Sequence, residues 1–304
     1  MSTEFNFTDT RYETETVAGL DIFFRESGNP SKPALVLLHG FPASSYMYRN
    51  VLAALGDQHL VVAPDYPGFG NSSSPPVEQF QYTFDHLADV MDRFLEQRGL
   101  DRYVLMIQDY GAPIGFRIAL KYPERVAGFV VMNGNIYEEG LSAKGWGSIF
   151  DYWNHKTAEL EDQITRSVFT LEGMKWQYTH GTRYPKGINP DNWNLDFLNI
   201  SRPGQHRIQL DLFYDYQNNL KLYPAWQAYL RQTQPPMLVV WGKNDAFFPE
   251  SGAAAYQKAV TDIDYHILDT GHFPLEEESP FIISRIREFL LKLNSTGRTR
   301  NGSK

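Results

Sequence analysis

The chain of 304 residues is predicted to be an α/β protein, with a mostly parallel sheet flanked by helices and one inserted helical lid. Two observations predict this. Short apolar runs rich in Val, Leu and Ile alternate with stretches of helical periodicity, which is typical of parallel strands buried on both faces. The alternation stops over 134–223 and then resumes. The composition, 42% hydrophobic and 14% aromatic, is that of a globular protein and excludes disorder of the whole chain.

The strands are predicted from the apolar runs. Parallel strands are expected at 34–38, 60–63, 103–107, 129–132, 237–241 and 265–268. The segment 12–25 differs, because its apolar and polar residues partly alternate around Gly19, which predicts an antiparallel hairpin at a sheet edge. Helices are expected between the strands, at 45–55, 85–98, 112–121, 252–260 and 280–293.

These elements divide the chain into a first part of the core at 1–133, a helical lid at 134–223, a second part of the core at 224–293 and a disordered tail at 294–304. The lid segment is rich in large aromatic residues, including Trp146, Tyr152, Trp153, Trp176, Tyr178, Trp193, Phe213, Tyr214 and Tyr216. A lid over a crevice at the sheet edge explains the interruption better than a second independent domain does. The tail consists mainly of Gly, Ser, Thr and Arg, which predicts disorder.

Charge and composition exclude several classes of function. The formal net charge is −8, and the only basic run lies at 297–300, so no nucleic acid partner is expected. Residues 1–10 lack the features of a secretory signal, and no segment has the roughly 18 apolar residues of a membrane span. We therefore expect a cytoplasmic protein without a membrane partner, either a monomer or a homodimer.

The inventory of reactive residues limits the chemistry further. The chain has no cysteine, which excludes disulfides, thiolate zinc sites and a cysteine nucleophile. Its histidines show no spacing or carboxylate partner that suggests a metal site. The sequence predicts neither a metal nor a cofactor.

Functional residues are expected directly after the strands, because open parallel sheets bind ligands beyond the carboxyl ends of their strands. Four predicted strands are followed by unusual turns. These turns are His39-Gly40-Phe41-Pro42, Gln108-Asp109-Tyr110-Gly111, Gly242-Lys243-Asn244-Asp245 and Asp269-Thr270-Gly271-His272.

With these turns the chain resembles the α/β-hydrolases of the epoxide hydrolase and haloalkane dehalogenase branch, from about residue 12 to residue 293. In that branch a nucleophile on a tight strand-to-helix turn, an acid and a histidine follow one another along the chain. Asp109, Asp245 and His272 match that order. Asp65-Tyr66-Pro67-Gly68-Phe69-Gly70-Asn71-Ser72 and the His-Gly-Phe-Pro turn, whose Phe-Pro bond is often cis in relatives, also match.

An aspartate nucleophile restricts the substrate. A serine that attacks an alkyl carbon forms an ether, which water does not readily cleave, whereas a carboxylate forms an ester. Asp109 therefore points to displacement at an sp³ carbon of a small hydrophobic electrophile. The resemblance assigns His272 as the base that activates water and Asp245 as the residue that orients it. It also assigns the backbone N–H groups of Phe41 and Tyr110 to the oxyanion hole.

The leaving group separates the two activities of the branch. Epoxide hydrolases use two lid tyrosines as proton donors, and Tyr152 and Tyr216 match those positions, with Tyr214 and Tyr178 in reserve. Haloalkane dehalogenases bind the halide with the Trp after the nucleophile and with an Asn after His-Gly or a lid Trp. Here Tyr110 and Phe41 occupy the two core positions, although Gln108 is dehalogenase-like. We expect His39, Pro42, Trp153 and Tyr214 in the substrate pocket.

The sequence thus favours an epoxide hydrolase that converts epoxides to diols through an alkyl-enzyme ester. Haloalkane dehalogenation is the alternative. Two non-hydrolytic readings also stay open, a receptor-like protein that lost turnover and a luciferase-like or oxygenase-like enzyme. Intact Asp109, Asp245 and His272 argue against the receptor, and a requirement for oxygen distinguishes the luciferase-like enzyme.

Overall fold

The computed structural model describes residues 8–295, and the strands within that range form one sheet. The order of the strands across the sheet is β1-β2-β4-β3-β5-β6-β7-β8. The strands are β1 (Thr10–Val17), β2 (Leu20–Ser27), β3 (Ala34–Leu38), β4 (Leu60–Pro64), β5 (Tyr103–Gln108), β6 (Val126–Met132), β7 (Met237–Gly242) and β8 (Ile263–Leu268).

The sheet is parallel from β4 to β8 and antiparallel only at the β1-β2-β4 edge. Every residue of β3, β4, β5, β6 and β7 is buried, which explains why these strands read as continuous apolar runs. Strand β1 is largely exposed, and its mixed polarity follows from this edge position. The predicted fold class is confirmed.

Helices cover both faces of the sheet. Those of the core are α1 (Arg49–Leu55), α2 (Phe84–Gln97), α3 (Gly111–Lys121), α10 (Glu250–Tyr256) and α11 (Pro274–Ser295). Side chains of α1 and α11 form one apolar layer with one face of the sheet, and those of α2, α3 and α10 belong to the layer on the other face. The first predicted helix, 45–55, begins as a 3-10 turn, Ser45–Tyr48, before α1.

Between β6 and β7 the chain forms a series of helices. They are α4 (Ala143–His155), α5 (Ala158–Val168), α6 (Leu171–Thr179), α7 (Asp191–Ile200), α8 (Gln205–Asp215) and α9 (Gln217–Thr233). The lid boundary that we expect at residue 223 falls inside α9. This helix packs against α3 of the core. The lid and the core therefore share a continuous helix.

The two ends of the described range need separate mention. The expected disordered tail at 294–304 lies outside the described residues, apart from Asn294 and Ser295, which end α11. Within residues 8–295 no helix has both the length and the apolar character needed to cross a membrane.

Candidate active site

Asp109 lies on a tight turn between β5 and α3. Its backbone φ is +48°, in the left-handed region that non-glycine residues rarely occupy. The turn is packed closely against the neighbouring strand, because a Cβ on Gly111 would lie 2.1 Å from the backbone oxygen of Leu38. Glycine at 111 therefore lets α3 begin directly after the aspartate, which places the carboxylate at the carboxyl edge of the sheet.

One oxygen of the Asp109 carboxylate is bound by two backbone N–H groups. Phe41 N–H donates to Asp109 Oδ1 at 2.8 Å, and Tyr110 N–H donates to the same oxygen at 2.6 Å. Gly40 permits this approach, since a Cβ there would lie 2.2 Å from the Cβ of Asp109. The structure thus brings the two predicted oxyanion-hole residues together on one oxygen, and the other oxygen, Oδ2, has neither amide as a donor.

His272 and Asp245 lie beside this carboxylate. His272 Nδ1 is 2.7 Å from Asp245 Oδ2, and His272 Nε2 is 3.9 Å from Asp109 Oδ2. The backbone N–H groups of Phe247 and Phe248 donate to Asp245 Oδ1 at 2.8 and 3.2 Å. Because Asp245 fixes Nδ1 as the donor, Nε2 is left to accept a proton from a group in front of Asp109.

Asn133 connects the nucleophile and the acid, and sequence reasoning did not identify it. Its side-chain Nδ2 donates to Asp245 Oδ2 at 2.7 Å, and its backbone oxygen accepts from the N–H of Asp109 at 3.2 Å. Like Asp109, it has a positive φ, of 45°. The signal was present in the sequence, because Asn133 directly follows a predicted strand, the position at which the other site residues were found.

Burial and charge set the protonation of the pair. Burial raises the pKa of Asp109 from 3.8 to about 6, although His272 and the amides of Phe41 and Tyr110 oppose the rise. Burial lowers the pKa of His272, but Asp245, followed by Asp109, outweighs it and raises that pKa above 6.5. Asp109 therefore holds its proton to a higher pH than an exposed aspartate does, and His272 is protonated more readily than an exposed histidine.

Gln108 contacts the free nitrogen of the histidine. Its Nε2 is 3.0 Å from His272 Nε2 and 3.4 Å from the backbone oxygen of His272. Its Oε1 is buried without a hydrogen-bond partner among the described residues. This side chain therefore contributes to the orientation of the imidazole.

A cavity lies in front of these residues. Its core wall includes Phe41, Asp109, Tyr110 and His272. Its remaining lining is mainly apolar and comes largely from the lid: Gly145, Trp146, Ser148, Ile149, Val168, Gln177, Phe213 and Phe247. The cavity suits a small, largely apolar ligand whose reacting atom lies next to Asp109.

The two lid tyrosines have different surroundings. The ring of Tyr216 packs against Trp146 and Tyr110, at centroid distances of 4.5 and 6.0 Å, and its buried hydroxyl makes no hydrogen bond of ordinary length. Burial, followed by Tyr223 and Asp109, raises its pKa well above 10. Its hydroxyl interacts with that of Tyr223, and Tyr216, like Tyr152, is not among the residues that line the cavity.

The structure does not bring Tyr152 to the cavity. Its hydroxyl donates to Glu161 Oε1 at 2.6 Å and accepts from the guanidinium of Arg207 at 3.2 Å. Arg207 also pairs with Glu161 at 2.8 Å. The Tyr152 hydroxyl is thus part of an ionic cluster within the lid, and the cavity wall does not include it.

The four residues expected in the pocket, His39, Pro42, Trp153 and Tyr214, are not among those that line the cavity. His39 stacks on Tyr66 at 4.0 Å, and burial lowers its pKa to about 4, so it is a neutral packing residue. The Phe41–Pro42 bond is cis. Trp153 packs behind the cavity against Tyr216, and Tyr214 packs on Tyr152.

Two indole N–H groups of the lid, those of Trp146 and Trp153, are bound to backbone oxygens. Trp146 Nε1 donates to the oxygen of Phe247 at 3.1 Å, and Trp153 Nε1 donates to the oxygen of Phe213 at 2.7 Å. Trp176, the third candidate, is 42% exposed and stacks on His180. In the part of the chain that the structure describes, no group of three or more His, Cys, Asp or Glu side chains is placed to hold a metal.

The order of the strands in the sheet, the turn at Asp109 and the lid over the cavity are together those of an α/β hydrolase. A family model for the alpha/beta hydrolase fold matches residues 33–279, so the chain belongs to that family. It is a hydrolase of the α/β-hydrolase superfamily, as the motifs predict.

Known relatives give the context. The chain is 42% identical over 262 residues to the uncharacterized hydrolase YNR064C of Saccharomyces cerevisiae, covering 85% of this chain and 89% of that protein. It is 44% identical over 101 residues to haloalkane dehalogenase 2 of Mycobacterium tuberculosis, covering 33% of this chain and 35% of that protein. The epoxide hydrolase CorEH has the same fold, with a TM-score of 0.76, 21% identity, and coverage of 94% of this chain and 100% of its own.

Proposed function

We propose that this protein is an epoxide hydrolase that forms an ester between its substrate and Asp109 and then hydrolyses that ester to release a diol. The observation that carries the proposal is the asymmetry of the Asp109 carboxylate. Two amides bind Oδ1, whereas Oδ2 is next to His272 at the cavity. A carboxylate bound in this way has one oxygen placed to attack and the other placed in an oxyanion hole.

In the first step, Asp109 Oδ2 attacks a ring carbon of the epoxide. A carbon–oxygen bond forms, the carbon–oxygen bond of the ring breaks, and its electron pair goes to the ring oxygen. We assign Tyr216 as the side chain that donates a hydrogen bond, and then its proton, to this oxygen. The assignment is supported by its burial against Tyr110 and Trp146, which line the cavity, and it requires the hydroxyl to turn from Tyr223 toward the epoxide oxygen.

In the second step, His272 Nε2 takes a proton from a water molecule, and the resulting hydroxide attacks the carbonyl carbon of the ester. The negative charge develops on Oδ1, where the N–H groups of Phe41 and Tyr110 already donate. Asp245 stabilises the protonated imidazole at 2.7 Å. Collapse of the tetrahedral intermediate expels the alkoxide of the diol, which takes the proton from His272. The carboxylic acid left at Asp109 then ionises, and a proton returns through solvent to Tyr216, so that every group regains its starting state.

The hydrogen-bond donors at the candidate site favour an epoxide substrate over a haloalkane substrate. In dehalogenases N–H groups stabilise the leaving halide, and here the indoles of Trp146 and Trp153 already donate to backbone oxygens. Tyr110 and Phe41 occupy the core positions at which dehalogenases carry donors. An epoxide oxygen needs a proton instead, which a tyrosine hydroxyl supplies.

Haloalkane dehalogenation is the second candidate. It is favoured by the 44% identity to haloalkane dehalogenase 2 over about a third of the chain, and by Gln108 before the nucleophile. The same ester would form with loss of a halide ion, and His272 would again direct water to the carbonyl carbon. In that case the hydroxyl of Tyr110, which is buried without a partner, is the candidate donor to the halide.

Isotope labelling tests the ester. A single turnover of styrene oxide, with enzyme in excess in H₂¹⁸O, should give an unlabelled diol and ¹⁸O in the peptide that contains Asp109, because the oxygen transferred first is that of Oδ2. Repeated turnover should give labelled diol. Label in the diol of the first turnover would mean direct attack by water and would contradict the proposal. Bromide release from 1-bromohexane without any diol formation from epoxides would favour the second candidate.

A further inference from the structure

Four residues separate the catalytic cavity from a depression on the surface of the lid. Gly145, Val168, Gln177 and Phe247 line both the cavity and this outer depression. Other residues of the depression are exposed, among them Lys144, Arg166, Glu172 and Trp176. These four residues, which we call the partition, are the wall between solvent and Asp109 on this side of the lid.

The partition is joined to the catalytic residues through Phe247. Its ring packs against His272 at 5.3 Å and against Trp176 of the outer depression at 5.7 Å. Its N–H donates to Asp245. Tyr216, in contrast, packs behind Tyr110 and Trp146. Gln177, the polar residue of the partition, therefore has a different environment from Tyr216, which we assign to the epoxide oxygen.

Gln177 is the polar side chain of the partition. It lies on α6, is only 4% exposed, and makes no side-chain hydrogen bond among the described residues, with its Nε2 fully buried. Buried amides are nearly always hydrogen-bonded in folded proteins. The partition residues around it, Val168, Phe247 and Gly145, offer it no side-chain acceptor.

We infer that Gln177 determines substrate specificity by donating a hydrogen bond to an oxygen atom that the substrate carries away from its reacting carbon. This inference rests on the proposed function for the reacting end of the substrate. The chemical class is an epoxide with an apolar chain and a hydroxyl or ether oxygen at its far end. The apolar lining binds the chain, and the amide at the partition binds the distal oxygen.

A site with a buried donor discriminates against a ligand that lacks the acceptor, because the donor then stays unpaired in the complex. The preference should therefore appear when a distal hydroxyl is compared with hydrogen on the same chain. It should depend on chain length, since the oxygen has to reach the partition while the epoxide lies at Asp109.

The test uses matched pairs of substrates from 4,5-epoxypentan-1-ol with 1,2-epoxypentane to 7,8-epoxyoctan-1-ol with 1,2-epoxyoctane. We expect wild type to prefer the hydroxylated member by about tenfold in kcat/KM at one or two chain lengths. In Gln177→Met this preference should fall below about twofold, because the variant has no amide to distinguish the two members of a pair.

Gln209→Met is the matched control. Gln209 lies on α8, is 2% exposed and also has a buried amide atom without a partner, but it does not line the cavity. This variant should keep the preference of wild type. Loss of the preference in both variants would indicate a general disturbance of the lid and would overturn the inference.

Three further outcomes would overturn it. They are no preference in wild type at any length, a preference that survives Gln177→Met, and an equal loss on both members of each pair in Gln177→Met. An equal loss on both members of each pair would mean that the Gln177 amide binds the epoxide oxygen itself. Calorimetry of the binding of octane-1,2-diol and octane-1,2,8-triol tests the role of Gln177 independently of epoxide hydrolysis. If wild type hydrolyses no epoxide but binds the triol about tenfold more tightly, and Gln177→Met does not, the proposed function fails and the role of Gln177 stands.

Discussion

The core wall of the cavity and its lid wall differ in how their polar groups are bound. On the core side, Asp109 and Asp245 each accept at least two hydrogen bonds from backbone or side-chain donors, and Asn133 connects them. On the lid side, the indole of Trp146 is bound to a backbone oxygen, whereas Gln177 has no partner among the described residues. The two catalytic carboxylates of the core side have their hydrogen-bond partners in place, although the hydroxyl of Tyr110 has none, and the lid wall combines bonded and unbonded polar groups.

This difference assigns chemistry and selectivity to different parts of the chain. Catalytic groups work best when their partners fix them before the substrate arrives, because no reorganisation is then needed during the reaction. Groups that recognise a substrate need free hydrogen-bonding capacity. We therefore expect changes in the core wall to abolish reaction steps, and changes in the lid wall to alter which substrates react.

The largest effect is expected on the core side, from Asp109→Ala. Turnover should fall by at least about 10⁴-fold, because removal of a nucleophile leaves only binding and the oxyanion hole. The fold should persist, since the side chain lies at a sheet edge and mainly accepts backbone hydrogen bonds. Steady-state rates, with circular dichroism as the control for folding, check this. A folded variant with substantial turnover would remove the ester mechanism.

The second effect separates the two half-reactions. In His272→Gln, alkylation of Asp109 should continue, whereas hydrolysis of the ester should slow by roughly 10²–10⁴-fold, the usual contribution of a general base. Intact-protein mass spectrometry should then show one added substrate mass. Wild type under the same conditions should show little adduct. If no adduct forms on substrates that wild type converts, His272 is not confined to the second step.

The third effect concerns the two lid tyrosines. Tyr216→Phe should slow alkylation by an epoxide by roughly 10²-fold, the typical loss of one donor to a developing oxyanion. Tyr152→Phe is the matched control within the lid and should change this rate only a few-fold, because its hydroxyl is bound to Glu161 and Arg207. Pre-steady-state burst kinetics with styrene oxide measure both.

The same variants distinguish the two candidate activities. Unchanged epoxide kinetics in Tyr216→Phe, together with bromide release from a bromoalkane that collapses in Tyr110→Phe, would favour the dehalogenase. A larger effect of Tyr152→Phe than of Tyr216→Phe would mean that the lid rearranges before the reaction.

The smallest effect concerns stability. The pKa of Asp109 is about 6 in the folded protein and 3.8 as its ordinary value, so ionisation favours the unfolded chain as the pH rises from about 4 to 6. Asp109→Asn removes this cost. Above pH 6 the variant should be more stable by roughly 1–3 kcal/mol, with the lower figure allowing for the lost attraction to His272. Near pH 4 the gain should vanish.

Urea denaturation at pH 4, 6 and 8 measures this gain. Asp151→Asn, which changes an exposed aspartate on α4, controls for the simple loss of one negative charge. A gain that is independent of pH would show that Asp109 is not the group responsible.

The core was more accessible to sequence reasoning than the lid. Strands such as 34–38 and 103–107 could be predicted because burial on both faces requires continuous apolar runs, and the observed strands β3 and β5 begin at the same residues. Asp109, Asp245 and His272 could be found because residues that follow parallel strands converge at one edge. Asn133 obeys the same rule and was missed only because the turn after 129–132 was left out.

The contacts within the lid could not be predicted by such rules. Tyr152 and Tyr216 have similar sequence signals, yet Tyr152 binds Glu161 and Arg207 from two other helices. Such partners depend on how α4, α5 and α8 pack, which no local pattern encodes. Gln177 was missed for the same reason, since a glutamine on a short helix has no signal until the cavity beside it is known.

Helix α9 has a consequence for anyone who exchanges lids between relatives. It begins at Gln217, directly after Tyr216, and runs to Thr233, where Gln234 closes it in a left-handed conformation. Because its length packs on α3, which starts at the nucleophile turn, a chimera joined at residue 223 would splice two unrelated half-helices there. A junction at residue 234 transfers the whole of α9 together with Tyr216. The chimera then receives this tyrosine and the helix that follows it from the same parent protein.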